Sequence, residues 1–532
     1  MFKINDDHKR ELEKKEITVQ SFFSQLEKIS TGSSYIELDR PSLPYDGIKI
    51  LSTEEQERMI SIFSKKSRFY KISKFVPASG AATRMFKTLF EIRHLLGSNS
   101  FSDKILMENY ENNHTLVEFE TFLKGIYLKK FAFSEDIYVI LKKIGLGTKE
   151  VLQKENYSII VNSILDKNGL DYGNTPKALI KFHKYQDTGI TPLEEHISET
   201  CLYMGNDNRE KMIHFTLSDQ YNDKISLFLD ELKIKFSKIG MNFSYEISSQ
   251  NKNTDTVAID LKGNPVTTPE GKLLFRPGGH GSLLYNLNNM DNDLIFIKNI
   301  DNITTYDRIN SSVNYKKIMG GMIIEIREKV FKYLNLLPEI RKDSEIINDI
   351  YCYSKDVLNI GFSKDFSEFD INKKKEILKN RLNRPIRVCG MVENRGEPGG
   401  GPFWIKGNSG ENILQIVEKA QINTSDLKQM EILKNSKYFN PVDIVCSITD
   451  FKGEKFHLPD FSDETKYFVS EKDYNGEKIR VLEHPGLWNG AMYDWITIFV
   501  ETPVETFNPV KSVNDLLKNN HIPKKNICFY SR

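Results

Sequence analysis

Cysteine is scarce in this chain and badly spaced for a structural role. The 532 residues hold five, Cys201, Cys352, Cys389, Cys446 and Cys528. An odd number with no C-x-x-C pair argues against a disulfide framework and against a zinc site. Excess charge of either sign is also lacking: 74 Lys and Arg against 73 Asp and Glu leave a net +1. Without a broad field there is no general attraction to nucleic acid or to an anionic membrane, so an anionic ligand must be held by a local site. No apolar run approaches the roughly 20 residues needed to span a bilayer. The opening stretch "MFKINDDHKRELEKKE" is too charged for the apolar part of a signal peptide. These absences predict a reduced, cytoplasmic protein with no nucleic-acid or membrane partner. What is present, 39% hydrophobic and 28% charged residues, is ordinary globular composition at a length that suits two domains or one domain with insertions.

The pattern along the chain alternates strand and helix. "LSTEEQERMISIFSKK" predicts a helix capped by Thr53, with Gln56 in capping-box position. "RFYKISKFVPASG" reads as a strand that stops at Pro77, and "TRMFKTLFEIRHLL" places Met85, Leu89, Phe90 and Ile92 near helical spacing. From Gly97 to Gly173 the chain is rich in Lys, Glu, Phe and Leu, which predicts a mainly helical insertion over about 97–172. The alternation then resumes: strand "KMIHFTLSD", helix "NDKISLFLDELKIKF", strand "NFSYEISSQ", buried strand "NDLIFIKNID". Such alternation predicts a mixed, mostly parallel sheet flanked by helices, with ligands at the carboxyl ends of its strands. Residues 340–385 read as polar and helical, and "VCGMVENRGEPGGGPFWIKGNSGEN" as loop. The expected divisions are an N-terminal helical segment 1–69, an αβ core 70–385 that contains the insertion, and a remaining part 386–532.

Five short segments carry the chemistry. In "VPASGAATRM" a turn of small residues at a strand end leaves backbone N–H groups uncovered, and the following helix adds the positive end of its dipole, which suits phosphate. Ser79, Gly80, Ala81 and Thr83 line that turn, and Arg84 supplies a planar fork for phosphate oxygens. In "GNTPKALIKFH" Pro176 restrains the backbone just before Lys177. "FRPGGHGSLLYNLNNMDNDLIFIKNIDNI" carries Gly279, His280 and Gly281 in a glycine-rich loop, then a strand that delivers Asp301 and Asn302 at its carboxyl end. A carboxylate there is a natural ligand for magnesium, which favours a few carboxylates and phosphate oxygens; a helix cap is the plainer role for the same residue. "LQIVEKAQI" offers Glu418 and Gln421, "EHPGLWNGAMYDW" offers Glu483 and Asn489, and "TFNPVKSVNDLL" repeats Pro-then-Lys at Lys511.

Taken in order, "ASGAATRM", "TPKAL", "RPGGHGSLLYNL", "NIDN" and "FNPVKSVNDLL" resemble the motifs of UDP-sugar pyrophosphorylases, nucleotidyltransferases of GT-A-like αβ fold. "GGGPF" and "IVEKAQI" are similar to the Gly-Gly and Glu-x-Ala-Gln stretches of UDP-glucose pyrophosphorylases. As a whole the chain resembles the domain-of-unknown-function 4301 family, through "PASGAATRMF" and "EHPGLWNGAMYDW". Two departures stand out. Ala81 and Ala82 occupy positions where the pyrophosphorylases place glycine, and the "PASGAATRM" spelling looks equally like the Pro-Ala-Ala-Gly loop of cytidylyltransferases. About ninety residues also separate Arg84 from Lys177, so either the insertion folds aside as a subdomain or the two motifs do not belong together.

The resemblance implies transfer of a nucleotidyl group from a nucleoside triphosphate, UTP with CTP left open, to a sugar 1-phosphate. It implies Arg84 and the turn near Gly80 on the triphosphate, Mg2+ on Asp301, and Lys177 and Lys511 offsetting phosphate charge. Gly279 and His280 would then lie along base and ribose. Glu418, Gln421, Glu483 and Asn489 would hydrogen-bond sugar hydroxyls, which makes 386–532 the sugar side. Two alternatives stay open: a glycosyltransferase of similar fold that consumes a nucleotide sugar, and a non-catalytic nucleotide-sugar-binding protein.

Overall fold

The strand Ile72–Pro77 and the strand Leu294–Lys298 run parallel and in register, Ile72 beside Leu294 and Phe75 beside Ile297. Both are apolar and almost fully buried, as strands covered on two faces must be. In this computed structural model the described residues are 2–80, 82–97, 113–153, 156–186, 188–205, 209–341, 345–397, 399–407, 410–524 and 528–530. They form a mixed α/β fold of two compact units, each discontinuous in sequence.

The first unit comprises Met1–Phe75, Ser248–Ile297 and Lys317–Val504. Its main sheet is parallel where Gly47–Lys49 meets Ile496–Glu501, where Ile496–Glu501 meets Ile386–Glu393, and at the pair just described. It is antiparallel where Ile386–Glu393 meets Asp443–Ser447. A three-stranded sheet (Leu38–Pro41, Gly401–Lys406, Asn412–Val417) and a four-stranded one (Phe275–Arg276, Thr256–Asp260, Glu477–Glu483, Phe468–Tyr474) complete it. The helix Thr53–Lys66 packs against the helix Asn310–Leu336 at Gly320 and Gly321, where a Cβ would run into Phe63 and the Met59 carbonyl. Two glycines in mid-helix are costly; here they let backbone approach backbone.

The second unit comprises Val76–Ile247, Lys298–Lys316 and Glu505–Arg532. The strands Lys211–Leu217 and Phe243–Ser249 neighbour one another, and the hairpin His183–Tyr185 with Thr188–Ile190 lies in the same unit. The helix Pro192–Met204 is buried almost along its whole length. It starts at a capping box in which Thr191 and Glu194 satisfy each other's backbone N–H groups.

Several expectations are corrected. Ser52, not Thr53, caps the helix Thr53–Lys66, and Glu55, not Gln56, closes the capping box. Ser, Thr and Glu stand in succession there, so the pattern fits in two adjacent frames; one residue decides. "VCGMVE" and "GPFWIK" are not loop but belong to the strands Ile386–Glu393 and Gly401–Lys406. The run of glycines between them masked two β-prone segments buried on both faces. The insertion is helical among its described residues (His114–Tyr127, Ser134–Lys143, Thr148–Gln153, Tyr157–Leu165), yet it does not fold aside. Phe119, Phe122 and Phe133 share one core with Phe86, with Leu89 and Ile92 of the helix Lys87–Gly97, and with Val510 and Val513. The insertion therefore builds the floor under the motifs it separates in sequence.

Candidate functional site

In the second unit two strand exits lie side by side, because the strands that lead into them are paired in register. Three residues beyond Pro77 comes Gly80; three beyond Lys298 comes Asp301. The two exits are held together by the Ile300 N–H, which donates to the Pro77 carbonyl at 3.3 Å. Four of the sequence segments meet here. The Lys177 backbone N–H donates to Gly80 O at 3.4 Å. The Lys177 ammonium donates to Asp301 Oδ2 at 2.8 Å and to the Val510 carbonyl at 2.9 Å. Val510 N–H donates to Asp301 O at 3.1 Å, and Asn508 N–H to Asn302 Oδ1 at 2.8 Å. Asn302 is thus a buried clamp on the "FNPVK" turn, which brings Lys511 next to the lysine–aspartate pair along the chain.

The small-residue turn lies beside this pair. The Ser79 carbonyl accepts from the Ser218 hydroxyl at 3.3 Å. Gly80, Thr83 and Arg84 are exposed, and Arg84 makes no hydrogen bond or ion pair with the described residues. Met85 O accepts from Val513 N–H at 2.9 Å, which ties the residue after Arg84 to the segment after Lys511. Lys511 is exposed, its backbone N–H held by Asp515 Oδ2 at 2.8 Å. Ala81 lies outside the described residues.

Asp301 supplies the carboxylate that meets Lys177. It retains about a quarter of its exposure, against 13% for Lys177. Among the described residues no cluster of three or more His, Cys, Asp or Glu side chains is placed to hold a metal ion. One carboxylate fits a magnesium ion that takes its other oxygens from phosphate and water, and does not fit an all-protein metal site.

In the first unit a second set of predicted residues converges. The loop carrying Gly278, Gly279 and Gly281 lies on the loop Glu483–Pro485: His484 N–H donates to Gly278 O at 2.9 Å. Gly279 has φ +80°, which strains any other residue, and Glu483 Oε2, 2.9 Å from where its Cβ would stand, would have to shift. His280 Nδ1 accepts from Leu487 N–H at 3.0 Å, which leaves the proton on Nε2, 3.2 Å from Glu418 Oε1. The imidazole stacks on Trp488 with centroids 4.1 Å apart. Burial alone would raise the Glu418 pKa, but hydrogen bonds from His280, Asn489 and Trp488 outweigh it and hold the carboxyl below its ordinary value. Glu418 N–H and Asn489 Nδ2 both donate to Gln421 Oε1, at 3.1 and 3.2 Å. Glu483 Oε1 accepts from Ser470 Oγ at 2.7 Å and Lys472 Nζ at 2.9 Å.

Sequence reasoning missed the groups that hold these positions. Arg387, wholly buried, donates to the Trp488 carbonyl at 2.6 Å, to Thr497 Oγ1 at 2.8 Å and to Gln415 Oε1 at 3.1 Å. Lys298 and Glu199 form a buried pair at 2.6 Å in the second unit. A lysine closing the apolar run "LIFIK" was the available signal, since a cation there requires a partner.

The family model for a domain of unknown function (DUF4301) matches residues 5–522. No functionally curated protein matches the chain. Among solved structures, UDP-N-acetylglucosamine pyrophosphorylase from Trypanosoma brucei shares 12% identity and a TM-score of 0.48, over 96% of this chain and 79% of that one. UDP-glucose pyrophosphorylase from Leishmania major shares 12% identity and a TM-score of 0.41, over 96% and 77%. A putative UDP-N-acetylglucosamine pyrophosphorylase from Entamoeba histolytica shares 11% identity and a TM-score of 0.41, over 90% and 82%. No helix among the described residues is long and apolar enough to cross a membrane.

Proposed function

We propose that this chain, which belongs to the domain of unknown function (DUF4301) family, transfers a nucleotidyl group from a nucleoside triphosphate, UTP in the first instance, to a sugar 1-phosphate and releases pyrophosphate. The observation that carries this reading is the meeting of Gly80, Lys177, Asp301 and the Val510–Lys511 segment in one place, from positions as far apart in sequence as Gly80 and Lys511. Each of these segments alone has a bland explanation; a loop of small residues, two lysines and one strand-end carboxylate held by mutual hydrogen bonds is a phosphate-handling set.

In this reading the attacking oxygen of the sugar phosphate is already an anion, so no general base is needed. It bonds to the α-phosphorus as the bridging oxygen leaves with pyrophosphate. Catalysis then consists of placing two repelling anions in line and offsetting the charge that builds on the α-phosphate and the leaving group. Backbone amides near Gly80 and the Arg84 fork hold the triphosphate. Lys177 and Lys511 offset phosphate charge as point cations. Asp301 would hold magnesium, which when bound would neutralise part of the phosphate charge. The His280–Trp488 stack with Glu418 beside it offers an aromatic face and a carboxylate, groups suited to a base and to sugar hydroxyls.

The test is pyrophosphate release from each common nucleoside triphosphate, with magnesium, against a panel of sugar 1-phosphates. Release should require one triphosphate and one sugar phosphate together, and Lys177→Ala should lower kcat/KM by about 10²–10³-fold while urea unfolding changes little. Absence of pyrophosphate with every pair, from folded protein, would overturn the reading in favour of a protein that only binds or consumes a nucleotide sugar.

A further inference from the structure

The helix Pro192–Met204 is buried almost along its whole length, yet it is not apolar. Glu194, Glu195, His196 and Glu199 retain between 0% and 4% of their exposure. Groups of this kind cost free energy to bury unless they are hydrogen-bonded, and apolar residues of similar volume are often as stable in such positions. None of the four belongs to the set proposed to handle phosphate. What they add is what they reach.

Three of them address one stretch of chain, residues 298–306, which carries Asp301 and Asn302. Glu199 Oε1 accepts from the Lys298 ammonium at 2.6 Å. His196 Nε2 lies 3.1 Å from the Ile300 carbonyl; a carbonyl only accepts, so the imidazole proton is on Nε2. Glu195 Oε1 accepts from the Tyr185 hydroxyl at 2.7 Å, and that hydroxyl oxygen accepts from the Tyr306 N–H at 2.7 Å. The contacts follow one another along both segments, 199, 196 and 195 against 298, 300 and 306. The His196 contact is the one next to the site. The carbonyl it holds belongs to the peptide unit joining Ile300 to Asp301, and the Ile300 N–H of the preceding unit is already held by Pro77 O at 3.3 Å. A peptide unit is planar and trans, so pinning this carbonyl against the helix fixes the direction in which the chain enters Asp301.

We propose that His196 is a positioning residue for the Lys177–Asp301 group: by holding the Ile300 carbonyl it sets the backbone from which the Asp301 carboxylate reaches Lys177. The support comes from a buried helix rather than from the exposed turns around the site, and close-packed elements transmit a shift instead of absorbing it. The contact itself is independent of any reaction; its effect on turnover rests on the function proposed above.

Two substitutions separate the Nε2 contact from burial of the ring. Glutamine carries an amide N–H donor about as far out as Nε2, asparagine only about as far as Nδ1. In hydrogen exchange of the full chain read by mass spectrometry, the Val510 N–H, which donates to the Asp301 carbonyl, should exchange about 10-fold faster in His196→Asn than in wild type. His196→Gln should restore most of the protection, and amides of the strand Lys211–Leu217 should keep theirs in both variants. In wild type that releases pyrophosphate, kcat should fall about 10- to 100-fold in His196→Asn and recover in His196→Gln. Should His196→Asn fail to fold, His196→Leu carries the same expectations. Unchanged Val510 exchange overturns the inference whether or not the proposed reaction occurs, and so does an equal acceleration in Lys211–Leu217, which would mean a general loss of stability. A kcat unchanged in His196→Asn, or lost equally in His196→Gln, overturns it as well. Absence of pyrophosphate release from wild type, with Val510 exchange selectively faster in His196→Asn, overturns the proposed function and supports the positioning.

Discussion

His183 and His521 make the stability of the second unit depend on pH in a direction that the structure specifies. His183 is fully buried and His521 nearly so. His183 Nδ1 lies 2.7 Å from Glu195 Oε1, and its Nε2 lies 2.9 Å from His521 Nδ1. Glu195 Oε1 also accepts from the Tyr185 hydroxyl at 2.7 Å. A carboxylate that accepts from both sides places the His183 proton on Nδ1, and Nε2 then accepts from His521 Nδ1–H. Both rings are neutral in this arrangement, and a further proton could go only to His521 Nε2, which is buried without a partner among the described residues. Burial holds the His183 pKa down at about 3 against an ordinary 6.5, partly offset by Asp307; burial and the neighbouring His183 hold His521 well below its ordinary value.

Because both folded values lie below the unfolded one, the unfolded chain binds more protons throughout the interval between them. Stability is complete above about pH 6.5 and is lost as pH falls toward the folded values. For a group with unfolded pKa 6.5 and folded pKa well under 5, the loss from pH 7 to pH 5 is about 1.9 kcal/mol, or about 4 kcal/mol for the pair. Urea unfolding at pH 7, 6 and 5 should therefore show the wild type losing about 4 kcal/mol more than a His183→Gln, His521→Gln double variant. His214 and His484, also held below their ordinary values chiefly by burial, titrate in both proteins and cancel in the difference. A difference that stays constant within about 1 kcal/mol across that range would refute the neutral buried pair.

Packing and charge give two more expected outcomes. Lys298→Met takes the ammonium 2.6 Å from the buried Glu199 carboxylate and should cost about 3–5 kcal/mol in urea unfolding; a loss under about 1 kcal/mol would mean that this contact adds no net stability. Gly321→Ala drives a Cβ into the Met59 carbonyl, and should lower stability by about 1–3 kcal/mol; an unchanged thermal midpoint would mean that the helix Thr53–Lys66 is free to shift outward.

The sequence was legible where residues act through short-range geometry. "KFVPASG" announces a strand ending at a turn, and the strand is Ile72–Pro77. "NDLIFIKNID" announces a buried strand with a carboxylate at its end, and Asp301 stands there. Convergence was legible only through motif order, because nothing local in "TPKAL" says that Lys177 will lie on Asp301. The strands around "GGGPF" were hidden because glycine and proline punctuate the segment more loudly than Val388, Met391, Phe403 and Ile405 mark its burial. Arg387 was hidden for a different reason. Its partners are a carbonyl and two neutral side chains more than 25 residues away, and no spacing rule connects them.

The lysine–aspartate pair is self-sufficient without any ligand. Lys177 and Asp301 are each too buried to stand as bare charges at low cost and too exposed for their attraction to add much stability, as exposed pairs contribute about 0–1 kcal/mol. In the absence of ligand each satisfies the other, and the Val510 carbonyl takes a second ammonium hydrogen. In the proposed reaction a polyphosphate with magnesium would change the balance on both sides: its oxygens would offer Lys177 stronger acceptors than a carbonyl, and the cation would offer Asp301 a partner of higher charge. The pair can then open without leaving either group unmatched. On the proposed function the pair would therefore alternate between self-pairing and phosphate, an exchange from which a purely structural ion pair would gain nothing.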